Sequence, residues 1–301
     1  MAKTLSRRTS ELLLAAVIIA RSTSLLLLKL GMADMGAFTL MALRFSTAGA
    51  LMLLCFFRRV RAAGGRTFLK GAAIGAVFFA VISCETATLR LTATSVTSFL
   101  ENTSVVLVPL LLALWRRKWP ERATLLSAGL SLAGVALLTL GSGLEGFGPG
   151  EALGLLTALL YACAIITTDR MSHGGGDALV MGIAQVCTIA ALAWAAAFVF
   201  ERPVEIPGSG RDWAIILALA VVCTGFGFTL QPVAQRGTSA ERAGMFCALS
   251  PLSAGALGAV FLHERLGARG LAGAALILCG IALPNLLAAA KAGRGRRAPH
   301  S

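Results

Sequence analysis

The sequence predicts an all-α integral membrane protein of ten transmembrane helices, built as two inverted repeats of five helices with both termini in the cytoplasm. Three observations lead to this prediction. The composition is too apolar for a water-soluble protein, the basic residues concentrate in alternate loops, and the two halves of the chain resemble each other.

The composition is that of a membrane protein. Of 301 residues, 57% are apolar and 14% are charged, and the mean hydropathy is +0.81. Soluble domains contain about 25% charged residues. A disordered chain, a secreted disulfide scaffold and a nucleic-acid-binding module are therefore excluded. Because one apolar helix needs about 20 residues, the chain has room for about ten helices and for no sizeable soluble domain.

Long apolar runs define the predicted spans. They cover residues 11–31, 36–57, 68–88, 93–114, 123–141, 152–168, 178–200, 213–234, 240–262 and 266–290. The first run lacks a small-x-small cleavage site and resumes after Arg21, so we expect a membrane span there rather than a cleaved signal.

The basic residues orient these spans. If the N-terminus is inside, the inner segments contain 19 of the 27 Lys and Arg, and the outer loops contain five. The other three, Arg21, Lys29 and Arg44, lie within spans. Because basic residues collect on the cytoplasmic side of a membrane, this distribution places both termini in the cytoplasm. It also accounts for the formal charge of +13 without a nucleic-acid partner.

The two halves of the chain repeat each other. At an offset of 141, Arg170 and Gln185 keep the spacing of Lys29 and Arg44. We therefore predict a first repeat over residues 1–145 and a second over 146–301, with five spans each. An odd number of spans inserts the repeats in opposite orientations, which is typical of secondary transporters. Because both halves belong to one chain, a monomer is sufficient to form the transporter, and a dimer stays an open alternative.

Ionisable residues within the first repeat are the strongest candidates for a site. Charged side chains at membrane depth normally face the bundle interior or a cavity, and Arg44, Glu85 and Glu101 all lie within predicted spans. Two interpretations remain open: they bind a charged or zwitterionic substrate or a proton, or they pair with each other to fix helix packing. For Arg21 and Lys29 the structural interpretation is favoured, because such side chains can extend toward the membrane interface.

The second repeat offers amides in place of charges. Amide groups donate and accept hydrogen bonds without a buried charge, which suits recognition of a polar substrate. We predict that the substrate-binding residues include Glu101, Arg44, Gln185, Glu85, Gln231, Gln235, Asn102 and Trp194. No catalytic, metal-binding or nucleotide-binding pattern rises above chance, and the seven cysteines lack close spacing. We therefore expect no enzyme activity, no metal and no cofactor.

Several short motifs follow each other in a characteristic order. They are Lys29 followed by Leu43-Arg44-Phe45, the segment Val105–Leu110 with Pro109, Gly150-Glu151-Ala152-Leu153 leading to Tyr161-Ala162, Gln231 through Ser239, Leu249-Ser250-Pro251, and His263-Glu264-Arg265-Leu266. In this order they resemble the EamA-like family of the drug/metabolite transporter superfamily. The resemblance implies ten helices, a bacterial inner-membrane location and movement of small metabolites, often outward. The sequence departs from the family pattern at Ser250, where many relatives have an acidic residue, and at Arg21-Ser22, where Trp-Gly is common.

The expected function is secondary transport of small polar metabolites, such as amino acids or related amines, by alternating access. An alternative is proton-coupled efflux of cationic drugs, in which Glu101 or Glu85 binds H⁺ and the cation in turn. An alternative of another class is a membrane-embedded lipid-modifying enzyme or scaffold. That enzyme would need a nucleophile or a metal constellation at the interface, and the sequence has none.

Overall fold

The computed structural model describes residues 6–92, 94–139, 148–204, 206–253 and 268–295, which form helices and short loops without any strand. The all-α prediction is confirmed for this part of the chain. The helices are α1 (Arg7–Ser22), α2 (Ser24–Gly31), α3 (Ala37–Cys55), α4 (Phe57–Arg61), α5 (Gly65–Leu91), α6 (Thr94–Asn102), α7 (Ser104–Arg116), α8 (Arg122–Thr139), α9 (Pro149–His173), α10 (Ala178–Phe200), α11 (Gly210–Ala218), a π-helix (Leu219–Phe228), α12 (Thr229–Gln235), α13 (Ala240–Phe246) and α14 (Ala268–Gly295).

Seven stretches of the described chain are long and apolar enough to cross a membrane, and each corresponds to a predicted span. They are Arg7–Gly31, Ala37–Cys55, Gly65–Leu91, Val96–Arg116, Pro149–His173, Ala178–Phe200 and Gly210–Gln235. The fifth and tenth predicted spans correspond to shorter apolar helices, Arg122–Leu137 and Ala268–Leu283. The ninth begins in α13 and, like the motif around His263, runs into residues outside the described ranges. The total of ten helices stays a prediction.

Polar side chains begin several of these helices. Ser6, Ser209 and Ser239 each accept a hydrogen bond from a backbone N–H of the first turn, in α1, α11 and α13 respectively. Asp177 does the same for two N–H groups of α10. Such caps satisfy donors that have no partner inside the helix, so these residues fix where the membrane helices start.

The main contacts between helices are preserved when each span of one repeat is swapped with the corresponding span of the other. The second and seventh spans (α3 and α10) pack together, as do the fifth and tenth (α8 and α14). The third span contacts the sixth (α5 and α9), and correspondingly the eighth contacts the first (the π-helix and α1). A twofold relationship between the repeats produces this pattern, because each of these four contacts maps either onto itself or onto its counterpart.

Polar side chains are concentrated inside the bundle. Arg44, Gln185, Gln231 and Gln235 are each at most 2% exposed, whereas large apolar side chains such as Leu54 remain exposed on the outside. Close helix contacts accompany this arrangement. A Cβ at Gly71 of α5 would lie 2.5 Å from the Met181 carbonyl oxygen, so only glycine allows α5 to approach α10 this closely.

Ion pairs connect the repeats at one end of the bundle. Glu11 near the start of α1 accepts hydrogen bonds from Arg242 of α13 at 3.2 Å and from Arg7 at 3.1 Å. Nearby, Arg116 at the end of α7 donates to Glu241 at 2.9 Å. The side chain of Arg242 is only 7% exposed, so its pair with Glu11 is largely buried.

Candidate functional site

Four of the membrane helices are interrupted where they line a common cavity. The first span breaks at Thr23 between α1 and α2, and the fourth breaks at Thr103 between α6 and α7. The eighth span changes to a π-helix over Leu219–Phe228, and α13 ends in a turn at residues 247–248. Interrupted helices at membrane depth are tolerated where the backbone is buried in protein or lines a cavity, and substrate sites of transporters often form there.

Local side-chain chemistry accounts for the breaks in the first and fourth spans. The hydroxyls of Ser22 and Thr23 donate to the Ile19 and Ala20 carbonyl oxygens, and the hydroxyl of Thr103 donates to the Leu100 carbonyl oxygen at 2.6 Å. Hydroxyl groups that bond to backbone carbonyls of the preceding turn compete with the helical hydrogen bonds and bend helices.

The interruption of the eighth span has a proline at its end. Pro232 of α12 has no N–H for the carbonyl of Phe228, which is the last residue of the π-helix. Short π-helical segments within membrane helices are frequent at functional sites. The π-helix matters for the cavity because it carries two side chains, Thr224 and Phe228, that contact its arginines.

The cavity is small, and its lining is part polar and part apolar. Its volume of about 30 Å³ accommodates about two water molecules. Residues from both repeats line it: Ile18, Arg21, Ser24, Arg44, Ile82, Glu85, Glu101, Asn102, Tyr161, Phe228, Cys247 and Ser250. A metabolite of amino-acid size does not fit this volume. In this conformation the helices around the cavity therefore pack too closely to admit such a substrate.

Arg21 is held at the cavity by neutral groups. Its Nη1 donates to the amide oxygen of Gln231 at 2.8 Å and to the hydroxyl of Tyr161 at 3.2 Å. The Phe228 ring lies 4.1 Å from its Cζ, a cation–π contact. Gly227 allows this approach, because a Cβ there would lie 2.6 Å from Cγ of Arg21. From the sequence we favoured a structural role for Arg21, with its side chain extended toward the membrane interface. In the structure its guanidinium points into the bundle instead.

Arg44 is bonded to hydroxyl groups. Its Nε donates to Thr224 Oγ1 at 2.6 Å and its Nη1 donates to Ser24 Oγ at 3.1 Å. Arg44 is 2% exposed. Neither arginine of the cavity has a carboxylate within 4.0 Å among the residues that the structure describes.

The two cavity carboxylates lack direct partners. Glu85 of α5 and Glu101 of α6 line the same cavity, and Glu85 is 9% exposed. Within the described part of the chain, no hydrogen bond and no cation within 4.0 Å reaches either carboxylate. Internal ion pairing, which the sequence left open, is therefore not formed in this conformation. The cavity is therefore lined by two guanidinium groups and two carboxyl groups, and no ion pair within 4.0 Å joins them among the described residues.

The remaining predicted site residues are divided between the cavity and the helix contacts. Asn102 lines the cavity, donates to the Ser98 carbonyl oxygen at 2.7 Å and leaves its own Oδ1 without a partner. Gln231 reaches the site through Arg21. Gln185 and Gln235 are buried with unpartnered amide atoms but do not line the cavity. Trp194 also lies apart from the cavity lining, and its Nε1 donates to Ser46 Oγ at 2.9 Å.

All four charged groups of the cavity belong to the first repeat. The second repeat contributes neutral groups, which are Tyr161, Phe228, Cys247 and Ser250 at the cavity, with Thr224 and Gln231 behind the arginines. Sequence reasoning did not place Ser24, Thr224 or Cys247 in a site, and it favoured packing over binding for Phe228. For Tyr161, the single tyrosine, the available signal was that a buried hydroxyl requires a hydrogen-bond partner.

Comparison with known proteins gives a family match and similar solved structures. The family model described as the EamA-like transporter family matches residues 8–140 and, a second time, residues 148–286. A solved structure described as "Crystal structure of protein" has a TM-score of 0.75 and 22% sequence identity, and the similarity covers 94% of this chain and 98% of that chain. At this identity the structural similarity concerns the fold. No curated protein matches the chain significantly.

Proposed function

We propose that this chain, which belongs to the EamA-like transporter family, moves small zwitterionic metabolites such as amino acids, or related amines, across a lipid bilayer. The family consists of transporters of the drug/metabolite superfamily, not of enzymes, and the chain is a multi-pass membrane protein. The substrate class goes beyond the family and rests on the cavity.

One observation carries the substrate class. One cavity contains two guanidinium groups held by neutral partners and two carboxyl groups that have no hydrogen-bond or ion-pair partner among the described residues. Unpaired charges of both signs cost free energy in a low-dielectric interior, and a ligand that carries both signs removes much of that cost. A zwitterion satisfies an arginine and a glutamate together, whereas a purely cationic or anionic ligand satisfies only one.

Alternating access is the mechanism that we propose. The cavity is too small for an amino acid in this conformation, so substrate binding requires the surrounding helices to separate. Two observations support the inverted arrangement. Each repeat has an odd number of predicted spans, and the main helix contacts follow a twofold pattern. Rocking of one part of the repeat pair against the other would open the cavity to each side in turn.

The ion pairs at one end of the bundle support a closed passage on that side. Glu11 with Arg242 joins α1 to α13, and Arg116 with Glu241 joins α7 to α13, so both connect the first repeat to the second. The distribution of the basic residues supports a cytoplasmic location for this end and for both termini. Both pairs would separate when the cavity opens toward the cytoplasm.

The same reasoning extends to location, stoichiometry and further contacts. The family and the charge distribution support the bacterial inner membrane as the location. Both repeats line the cavity, which supports the monomer as the transporting unit. Gln185, Gln235 and Trp194 remain proposed substrate contacts for a more open conformation, because the buried amides of the two glutamines contain atoms without partners.

A thermal-shift screen tests the substrate class. Purified protein in detergent is heated with single amino acids, amines, nucleosides and sugars, since a ligand that binds the native state raises the apparent stability. We expect amino acids to give the largest increases in Tm, with smaller increases for amines. Increases confined to nucleosides or sugars would contradict the proposal. Arg61→Gln, an exposed arginine on α4, should reproduce the wild-type pattern.

Proton-coupled efflux of cations is the second candidate, and the partnerless carboxylates of Glu85 and Glu101 favour it. A carboxylate that exchanges a proton for a cationic substrate needs no fixed countercharge. This function predicts that an acidic lumen drives amine uptake into inside-out vesicles, as protons leave the lumen in exchange, and that Glu101→Gln abolishes the effect. Transport that is independent of the pH gradient would exclude it.

A further inference from the structure

The two arginines of the cavity present different edges of their guanidinium groups. Arg44 uses Nε and Nη1, which donate to Thr224 and Ser24. Arg21 uses Nη1 alone, and its Nε and Nη2 have no hydrogen-bond partner among the described residues. Nε and Nη2 lie side by side on one edge of the guanidinium, and this edge can bind both oxygens of a carboxylate at once.

The unfilled edge of Arg21 is an exception to the usual pairing of buried polar groups. Nε is buried from solvent, and a buried donor without an acceptor is costly, all the more so when it carries charge. The rest of the guanidinium is fixed in place by Gln231, Tyr161 and the Phe228 ring. A side chain that is held on one edge and unfilled on the other is preorganised for a ligand, which reduces the entropy cost of binding.

We propose that Arg21 binds the carboxylate of the substrate through Nε and Nη2 and that Glu101 binds its ammonium group, so that these two residues determine specificity. Arg44 supports the cavity wall through Thr224 and Ser24. This assignment rests on the proposed function, because it identifies which groups of a zwitterion the cavity recognises.

The assignment predicts how affinity depends on the two ends of the substrate. An amino acid contacts both Arg21 and Glu101, its decarboxylated amine contacts only Glu101, and its deaminated acid contacts only Arg21. Charge-assisted bidentate contacts are strong and directional, so we expect each truncated ligand to bind about tenfold more weakly than the amino acid. Lysine cannot replace Arg21 fully, because a point charge lacks the planar fork.

Isothermal titration of the full-length protein in detergent tests the assignment. The probes are the 20 standard amino acids, followed by the decarboxylated amine and the deaminated acid of the tightest binder. In Arg21→Gln we expect the affinity for the amino acid and the acid to fall by about tenfold or more while the affinity for the amine stays within about twofold. In Glu101→Gln the amine and the amino acid should lose affinity and the acid should not. Arg61→Gln is the matched control and should bind all probes as the wild type does.

The outcomes separate this inference from the proposed function. If Arg21→Gln does not fold, Arg21→Lys is measured instead. We expect a partial loss of affinity for the carboxylate-bearing ligands only. Equal losses for all three ligands in the arginine variants, or an unchanged affinity for the acid, would overturn the role of Arg21 while the wild type still binds amino acids. Failure of the wild type to bind any amino acid would overturn the proposed function and this assignment together.

Discussion

The amide oxygen of Gln231 accepts a 2.8 Å hydrogen bond from Nη1 of Arg21, although 210 residues separate them and they lie in different repeats. The first repeat thus contributes the charge, and the second repeat orients it. This division holds throughout the cavity, where the groups from the second repeat are neutral.

Removing the acceptor at residue 231 should weaken transport. In Gln231→Met the side chain keeps a similar length, but Nη1 of Arg21 retains only Tyr161 as a partner. Hydrogen bonds to charged groups contribute about 1.5–3 kcal/mol, so we expect the initial rate of substrate uptake at low concentration to fall roughly tenfold or more. Thr188→Val is the control, because it removes a hydrogen bond that stays within α10. Equal rates in the Gln231→Met variant and the control would argue against orientation of Arg21 by Gln231.

A methyl group at residue 227 should displace Arg21. The Cβ of Gly227→Ala would lie 2.6 Å from Cγ of Arg21, near the base of the side chain, so the guanidinium cannot keep its position. Overpacking of this kind costs about 1–3 kcal/mol, and we expect both a lower Tm and weaker substrate binding. Gly129→Ala in α8 is the matched control, since nothing lies within 4 Å of its Cβ. A Gly227→Ala variant that binds substrate with wild-type affinity would show that substrate binding does not depend on the position of Arg21.

The buried ion pair that joins α1 to α13 should contribute more to stability than its exposed neighbour. In Glu11→Gln, Arg242 loses its carboxylate while its side chain stays 7% exposed, and loss of one partner of a buried pair costs about 3–5 kcal/mol. In Glu241→Gln the partner is Arg116, whose side chain is 56% exposed, so we expect a change of at most about 1 kcal/mol. Thermal unfolding of both variants measures the difference. Similar Tm values for the two would contradict this ranking.

The pKa of Asp177 predicts that the stability of the protein depends on pH. Burial acts to raise the pKa of this carboxyl group, but the hydrogen bond and charge of Arg59 and the N–H groups of Leu179 and Val180 outweigh burial and lower the pKa below 3.8. Because the folded protein holds this proton less tightly than the unfolded chain, the ionised carboxylate stabilises the fold above about pH 4. The stabilisation is lost as the pH falls through the lowered pKa of the folded state.

Asp177→Asn isolates this contribution. Asparagine still caps α10 but carries no charge for Arg59. We therefore expect the variant to be less stable than the wild type at pH 7 and the difference to shrink progressively below about pH 4. Urea or thermal unfolding between pH 3 and pH 7 provides the measurement. A difference that is constant over this range would mean that the charge of Asp177 does not stabilise the folded state.

The positions of the helices were predictable from the sequence because the bilayer imposes one simple requirement. A backbone without water must bond to itself, so each apolar run of sufficient length becomes a helix. The seventh span shows this directly, since the run from 178 to 200 and the helix Ala178–Phe200 coincide. The placement of Arg44 and Glu101 within helices was predictable on the same basis, because it follows from their position along an apolar run.

The assembly of the cavity was not predictable, because it depends on helix rotation and on hydrogen-bond register. Hydropathy does not show that the first span breaks at Thr23 or that the eighth contains a π-helix, since both depend on which group bonds to which carbonyl. Arg21 was therefore assigned toward the interface although it faces the bundle. Gln185 corresponds to Arg44 by spacing, yet it is buried outside the cavity lining.

The most direct test of the account is the uptake of a radiolabelled amino acid into liposomes. The amino acid is the one that gives the largest increase in Tm, and liposomes containing the wild type, the double variant Arg21→Gln/Glu101→Gln or no protein are compared. We predict saturable uptake by the wild type and uptake equal to protein-free liposomes for the double variant. Wild-type uptake no greater than that of protein-free liposomes, or equal uptake by the wild type and the double variant, would contradict the claim that this cavity transports zwitterionic metabolites.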